Sequence, residues 1–279
     1  MVLVGAGVAL LLFGQAFVRV RRRGRTDHAG FSRLLLFVLA VAVGTLPLVS
    51  PLDEVGDSYL LSGHMLQHVL IGDAAPALAV VALRGPLLFF LLPCAVLRPL
   101  ARVRRLRDAL GFVLRPAVSF VAWMTVIAAW HVPAAYDYAL GHEAVHDVEH
   151  GSFVVVGFLV WMQIVDPARR RRLRLSQRVG YMLGLSGAGA LLAGVLVLAS
   201  APLYPAYAGA GPRLLGLSPL GDQQLAGIVM VAEQLLTLGL CACFLLRAPM
   251  RAARDVDRAF GVRGHLTAHL TPVGGRHEL

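Results

Sequence analysis

The sequence predicts an all-α membrane protein, a bundle of seven transmembrane helices with the N-terminus outside and the C-terminus in the cytoplasm. Hydrophobic residues make up 57% of the chain and charged residues only 15%, against about 45–50% and about 25% in soluble domains. Seven apolar stretches reach, or nearly reach, the length of about 20 residues that a membrane helix needs. The basic residues are confined almost entirely to alternate connections between these stretches.

The seven predicted spans form one transmembrane domain, 1–246, followed by a cytoplasmic tail, 247–279. They cover about 2–18, 34–49, 59–83, 116–131, 145–165, 179–199 and 223–246. A further apolar run, 86–97, contains two prolines and is followed by an arginine-rich stretch. That run is predicted to be an interfacial or re-entrant segment, since proline interrupts a helix.

Each span has its own justification in the sequence. The first is predicted to stay in the membrane and not to be a cleavable signal peptide, because its arginines follow the apolar run. The second is almost continuously apolar, and the third carries polar residues within its apolar run. The fourth ends at His131, because Pro133 biases Val132 away from helix. The fifth starts in a histidine-rich segment, the sixth contains glycines that allow close helix packing, and the seventh starts at Gln223.

Arginine supplies all 26 basic residues, and its distribution sets the predicted orientation. The segments after spans one, three, five and seven contain 25 arginines, and the opposite side contains one, Arg213. Basic loops stay in the cytoplasm. The net charge of +10 is therefore interpreted as a topology signal and as contact with anionic lipid at the cytoplasmic face, not as a nucleic-acid surface. The absence of lysine excludes a retinal Schiff base.

Histidines within or beside the predicted spans are the main functional signal, because an ionisable group costs at least about 2.5–3.5 kcal/mol to insert. Six of them are predicted to share the outer third of the membrane: His64, His68, His131, His142, His146 and His150. At about 1.5 Å per residue, His64 lies about 7 Å and His68 about 13 Å below the outer interface. Residues spaced i and i+4 share a helix face, as the pair 64/68 and the series 142/146/150 do.

Clustered imidazoles predict a metal or haem site, since imidazole binds copper, zinc, iron and nickel. Neighbouring polar side chains are predicted to hold the imidazoles by hydrogen bonds: Gln67, Glu149, Gln223 and Gln224. The alternative for a single membrane histidine is a hydrogen bond between helices, and His142 could lie in a solvated loop. Asp73, about 21 Å along the third span, and Glu233, about 15 Å into the seventh, are candidates for a proton or ion path.

Three short strings occur in order between the third and seventh spans. The first is His64–His68, with the sequence HMLQH. The second is Trp130–Tyr136 (WHVPAAY), followed by the histidine-rich segment His142–His150. The third is Leu203–Tyr207 (LYPAY), followed by Asp222–Gly227 (DQQLAG). Together they resemble the CtaG family of cytochrome c oxidase assembly factors, the multi-span family of Gram-positive-type bacteria.

The resemblance implies a multi-pass protein of the bacterial plasma membrane that is needed to make an active haem–copper oxidase. It implies copper as the ion that is handled and an oxidase subunit as the partner. Nine positions match the family pattern: His64, His68, His131, His142, His146, His150, Asp222, Gln223 and Gln224. Asp222 thereby joins the side chains expected to support the imidazoles.

Two other functions stay open at this point. One is an electron carrier that holds haem b between His68 and either His146 or His150. The other is a metal- or proton-coupled transporter that uses Asp73 and Glu233, although the internal repeats usual in such proteins are not visible. The sequence contains no recognisable nucleophile–base pair or phosphate-binding loop, so we expect no enzymatic activity.

Overall fold

The computed structural model describes residues 1–209 and 214–268, with side chains as far as 247, and this part of the chain is helical without any β-strand. The α-helices are α1 (Val2–Arg22), α2 (Phe31–Thr45), α3 (Pro51–Ser58), α4 (Leu61–Val69), α5 (Ala75–Ala82), α6 (Pro86–Phe90), α7 (Cys94–Arg102), α8 (Arg104–Val113), α9 (Pro116–Trp130), α10 (Pro133–Leu140), α11 (Glu143–Val165), α12 (Leu175–Leu198), α13 (Pro205–Ala208) and α14 (Pro219–Ala268). A π-helical turn, Leu70–Ala74, joins α4 to α5. Short 3₁₀ turns occupy Thr26–His28, Leu46–Leu48 and Leu214–Gly216.

Within these residues, six helical segments are long and apolar enough to cross a membrane, and the bent pair α8–α9 would make a seventh. The prediction of an all-α protein with several membrane spans is confirmed. The fourth predicted span corresponds to the short helix α9. Helix α9 has 15 residues, about 22 Å of helix, and meets α8 at an angle of 71°. It is shorter than the hydrocarbon core of about 30 Å.

The connections between spans contain three short helices that the sequence analysis did not predict, α3, α10 and α13. They contact one another through tyrosine hydroxyls. Tyr207 of α13 donates a hydrogen bond to the carbonyl oxygen of Gly56 in α3 at 2.7 Å. The hydroxyl of Tyr136 in α10 lies 2.8 Å from that of Tyr207, within hydrogen-bonding distance. We call these three helices the cap.

Other boundaries differ from the predicted ones. The apolar run 86–97 begins with α6 and continues into α7, which ends among the arginines. The chain divides into two compact units, Met1–Leu238 and Gly239–Leu279. The described part of the second unit is helical because α14 continues to Ala268, past the predicted end of the seventh span at 246. The end of the predicted tail, 269–279, and Arg213 lie outside the described residues.

The first two helices pack against α5 and α6 through an apolar contact. The rings of Phe13 in α1 and Phe37 in α2 stack with their centroids 4.1 Å apart. Ala40, Ala82 and Leu87 are buried against them. We call these five side chains the apolar interface; it contains no ionisable group.

Candidate metal centre

The helix that carries His64 and His68 begins at a carboxylate supplied by another helix. Asp222 of α14 accepts hydrogen bonds from the backbone N–H of Leu61 at 2.7 Å and from the backbone N–H and hydroxyl of Ser62 at 3.1 and 2.5 Å. The first N–H groups of a helix have no partner within it, and negative charge is stabilised there by the helix dipole. Asp222 therefore fixes the start of α4. Asp222 was predicted to support an imidazole, but it bonds to the start of α4 instead.

Helix α3 lies as close to α4 as glycine permits. A Cβ atom at Gly56 would lie 2.6 Å from Gln67 Oε1 and 3.1 Å from His64 Cα. Gln67 was expected to support an imidazole, but its Nε2 donates to the carbonyl oxygen of Pro47 at 3.0 Å and to Asp53 Oδ1 at 2.9 Å. Gln67 thus ties α4 to the segment that leads into the cap.

Four histidines meet between α4 and α11: His64, His68, His146 and His150. One ring nitrogen of each can be chosen so that all four lie within 4.8 Å of one another. The ring centroids are 4.3 Å apart for His64 and His68, and 4.2 Å apart for His146 and His150. The i,i+4 spacing places each pair on one helix face, and the packing of α4 on α11 brings the pairs together. We call this group the four-histidine cluster.

The Nε2 atoms of this cluster are the ring nitrogens of interest. Among the described residues, all four are buried without a hydrogen-bond partner. His64 is 0% and His68 5% exposed. A buried polar atom that lacks a partner costs about 1–3 kcal/mol, and several in one place are uncommon in proteins. A metal ion would provide the missing partner, so the donor set fits a transition metal that prefers imidazole.

Asp57 of α3 faces two members of the cluster. Its Oδ1 lies 3.1 Å from His64 Nδ1, and its Oδ2 lies 3.8 Å from His146 Nδ1. Burial raises the pKa of Asp57, but the neighbouring imidazoles of His64 and His146 outweigh burial and hold the pKa below its ordinary value. A carboxylate on Nδ1 orients a metal-binding imidazole and leaves Nε2 for the metal. Asp57 is not among the predicted site residues, since it lies in an unpredicted helix.

Glu149, which was predicted to support an imidazole, lies beside His68. It is 1% exposed, and its Oε1 lies 3.6 Å from His68 Nε2. Neither carboxyl oxygen has a hydrogen-bond partner in the described part of the chain. Glu149 can therefore support His68 or contribute an oxygen ligand itself.

The other two predicted histidines lie outside the four-histidine cluster. His131 follows the end of α9, and its Nδ1 lies 2.8 Å from the carbonyl oxygen of Ile127 in the same helix. His142 is exposed because α11 begins only at Glu143. Its ring stacks on Tyr138 with the centroids 4.0 Å apart. Of the series 142/146/150, only His146 and His150 therefore lie on α11, and His142 lies just before the helix.

Gln223 and Gln224 brace the end of α12 instead of an imidazole. Gln223 Nε2 donates to the carbonyl oxygen of Leu196 at 3.0 Å, and its Oε1 accepts from the backbone N–H of Leu203 at 2.6 Å. Gln224 Nε2 donates to the carbonyl oxygen of Val197 at 3.2 Å. Both glutamines hold the helices that surround the site.

Tyr136 of the cap contacts the four-histidine cluster, and Tyr204, which precedes α13, contacts His131. The ring of Tyr136 packs edge-on against His64 with the centroids 5.1 Å apart. Tyr204 donates a hydrogen bond to the carbonyl oxygen of His131 at 3.0 Å. The sequence analysis found the tyrosine-containing strings only through the family resemblance, because a tyrosine near the end of a span is also typical of the membrane interface.

Asp73 and Glu233 lie together, apart from the four-histidine cluster. Both line a cavity that His68 and His131 also line. Both carboxyl groups were expected on one proton or ion path, although they are far apart in the chain. The folded chain brings them to one place.

Comparison with protein families identifies the chain. The model of the cytochrome c oxidase caa3 assembly factor family, Caa3_CtaG, matches residues 11–252. The chain belongs to this family. The resemblance inferred from the three strings is thereby confirmed, and the CtaG family supports a non-catalytic role in cytochrome c oxidase assembly. Comparisons with curated proteins and with solved structures gave no match.

Proposed function

We propose that this CtaG protein binds a copper ion with the four-histidine cluster and passes it to a subunit of the haem–copper oxidase. The observation that carries the proposal is the set of four buried Nε2 atoms without partners among the described residues. Imidazole nitrogens are suitable ligands for copper. The family's role in oxidase assembly supplies the recipient.

The surroundings of the cluster suit an ion that has to enter and leave. Asp57 is 34% exposed, whereas His64 beside it is 0% exposed. A partly exposed carboxylate next to buried imidazoles gives a cation a polar entry point. His64, His68, His146 and His150 would bind the ion, while Asp57 and Glu149 would keep the imidazoles oriented.

We place the four-histidine cluster at the outer face of the bacterial plasma membrane. The distribution of 25 arginines against one supports this orientation. Arginines also complete the opposite end of the bundle: Arg33 donates to the carbonyl oxygen of Ala82 at 3.1 Å, and Arg178 forms an ion pair with Asp166 at 3.0 Å. Exposed arginines such as Arg22 and Arg25 suit contact with anionic lipid.

The geometry favours an ion over haem b. One nitrogen from each of the four histidines lies within 4.8 Å of the others. These nitrogens therefore surround a space for one ion. A haem needs a planar slot between two axial imidazoles. The purified protein is therefore expected to show no Soret band.

Deletion and complementation of the gene test the assembly role. We expect deletion to abolish most oxidase activity, wild type and His142→Ala to restore it, and the double variant His64→Ala/His68→Ala to fail at equal membrane levels. His142 is the matched control because it is an exposed histidine of the same region. Unchanged oxidase after deletion, with and without added copper, would refute the assembly role. Full restoration by the double variant would refute the role of the cluster.

A further inference from the structure

A second polar site lies on the cavity that His68 shares with Asp73 and Glu233. The cavity is bounded by α4 and its π-helical turn, α9, α11, α12 and α14. The centres of water molecules can occupy about 70 Å³ of it, and one water needs only about 10–15 Å³ by that measure. The cavity is therefore large enough for several waters.

The π-helical turn Leu70–Ala74 carries Asp73 and follows from the proline after it. Pro76 has no N–H to donate to the carbonyl of Gly72, and its ring would clash with that carbonyl in a regular helix. A π turn relieves the clash, and such turns are frequent at functional sites. Helix α11 packs directly on this turn, since a Cβ atom at Gly157 would overlap the carbonyl oxygen of Gly72.

Asp73 is held by donors from two helices. The indole N–H of Trp161 donates to Asp73 Oδ1, and the hydroxyl of Thr237 donates to Asp73 Oδ2 at 2.8 Å. Glu233 lines the same cavity as Asp73, and its backbone carbonyl lies 3.2 Å from the same Thr237 hydroxyl. Two carboxylates that share one buried site repel each other, so one of them keeps a proton.

The donors around the pair indicate where that proton lies. Asp73 already accepts two hydrogen bonds, which suits an ionised carboxylate. Glu233 Oε1 is buried without a partner among the described residues, which suits a neutral carboxylic acid better than a carboxylate. The pair then holds one proton and one negative charge.

A buried histidine outside the four-histidine cluster provides independent support for a proton site at this cavity. His131 is 8% exposed, and its Nε2 has no hydrogen-bond partner in the described structure. The titratable side chains that line the cavity are His68 from α4, Asp73 from the π turn, His131 after α9, and Glu233 from α14. The lining side chains of α11 and α12, such as Trp161 and Leu185, do not titrate in the physiological range.

We propose that Asp73 and Glu233 together bind one proton inside the membrane, and that this proton leaves more readily when metal occupies the four-histidine cluster. The second part rests on the proposed function, whereas the first does not. Asp73 follows His68 by five residues, about 7–8 Å along the helix. At an effective dielectric constant of about 20, a unit charge about 10 Å away changes such an equilibrium about tenfold. Because coupling is reciprocal, loss of the pair's charge weakens metal binding by a similar factor.

Infrared spectra of the metal-free, full-length protein test the proton site. We expect the carbonyl band of a protonated carboxylic acid at neutral pH in wild type and in Glu54→Gln, whose glutamate is exposed. The band disappears in Glu233→Gln, whereas Asp73→Asn retains it at a shifted frequency because Glu233 loses its partner. Absence of the band from wild type, or its persistence unchanged in Glu233→Gln, overturns the proposal.

The same band, followed during a pH titration with copper(I) added, tests the coupling. In wild type we expect the pH at which the band is half lost to fall by about one pH unit on copper binding, the equivalent of a tenfold change. The double variant His64→Ala/His68→Ala shows no such fall. If wild type binds copper and the midpoint stays the same, the coupling is wrong. If wild type binds no copper, the proposed function fails, and the metal-free spectra alone decide on the proton site.

Discussion

The four-histidine cluster and the apolar interface are two helix contacts of one bundle, built in opposite ways. The apolar interface joins α1 and α2 through stacked rings, with centroids 4.1 Å apart, and leaves no ionisable group unpaired. The four-histidine cluster joins α4 and α11 through imidazoles whose Nε2 atoms have no partner among the described residues. Van der Waals packing between helices is sufficient for association in lipid. The histidines therefore represent a cost that folding alone does not require, which is why we assign function to them.

The largest expected effect is at the cluster itself. Replacing His64 and His68 by alanine removes two of the four ligands, and we expect the copper content of the purified protein to fall from about one ion per chain to background. Substitution of Phe13 in the apolar interface should leave copper content unchanged. Elemental analysis of both proteins makes the comparison, and equal copper loss in both would show that the two contacts do not differ as described.

Asp57 should have the next largest effect, because it acts on metal through two imidazoles. We expect Asp57→Asn to weaken copper binding about 10–100-fold, the usual result of removing a carboxylate behind a metal-binding histidine. Competition with a copper chelator of known affinity measures it. The control is Asp53→Asn, since Asp53 in the same helix pairs with Gln67 and not with a histidine. An equal loss in both variants would assign the effect to α3 as a whole.

The contact between α11 and the π turn can be changed with a matched pair of glycines. Gly157→Ala brings a Cβ atom into overlap with the carbonyl oxygen of Gly72, so we expect it to destabilise the protein by about 1–3 kcal/mol, as overpacking does. At Gly151, in the same helix, an added Cβ atom would have no neighbour within 4 Å. Gly151→Ala should therefore be neutral or stabilising by up to about 1 kcal/mol. Thermal unfolding in detergent distinguishes the two variants, and equal stability would show that α11 can move away from α4.

The smallest effect on copper binding is expected at the apolar interface. Phe13→Ala removes a stacked ring, and we expect a loss of about 0.5–3 kcal/mol in unfolding free energy. Affinity for copper should stay within about twofold of wild type, since no residue of the interface touches the cluster. Thermal unfolding and the chelator competition, applied to one preparation, measure both quantities. A large fall in copper affinity would mean that the two contacts are coupled.

Much of the fold and half of the site could be predicted because they follow from local periodicity. The apolar runs gave the spans, and the i,i+4 spacing gave the pairs His64/His68 and His146/His150. The cap could not be predicted, since α3, α10 and α13 are short helices whose positions depend on contacts such as that between Tyr207 and Gly56.

The supporting residues were harder to place because polarity alone does not show which group a side chain meets. Asp222, Gln223 and Gln224 bond to backbone groups of other helices, whereas Asp57, which faces His64 and His146, was not among the predicted site residues. The pairing of Asp73 with Glu233 likewise depends on how α14 packs against the π turn. Long-range packing, which one sequence does not display, decided each of these cases.

X-ray absorption at the copper edge of the copper(I)-loaded, full-length protein tests the central claim most directly. We predict nitrogen ligands with the outer scattering pattern of imidazole, present in wild type and His142→Ala and lost in His64→Ala/His68→Ala. Sulfur as the main ligand, or imidazole scattering that survives the double substitution, would contradict the assignment of copper to the four-histidine cluster.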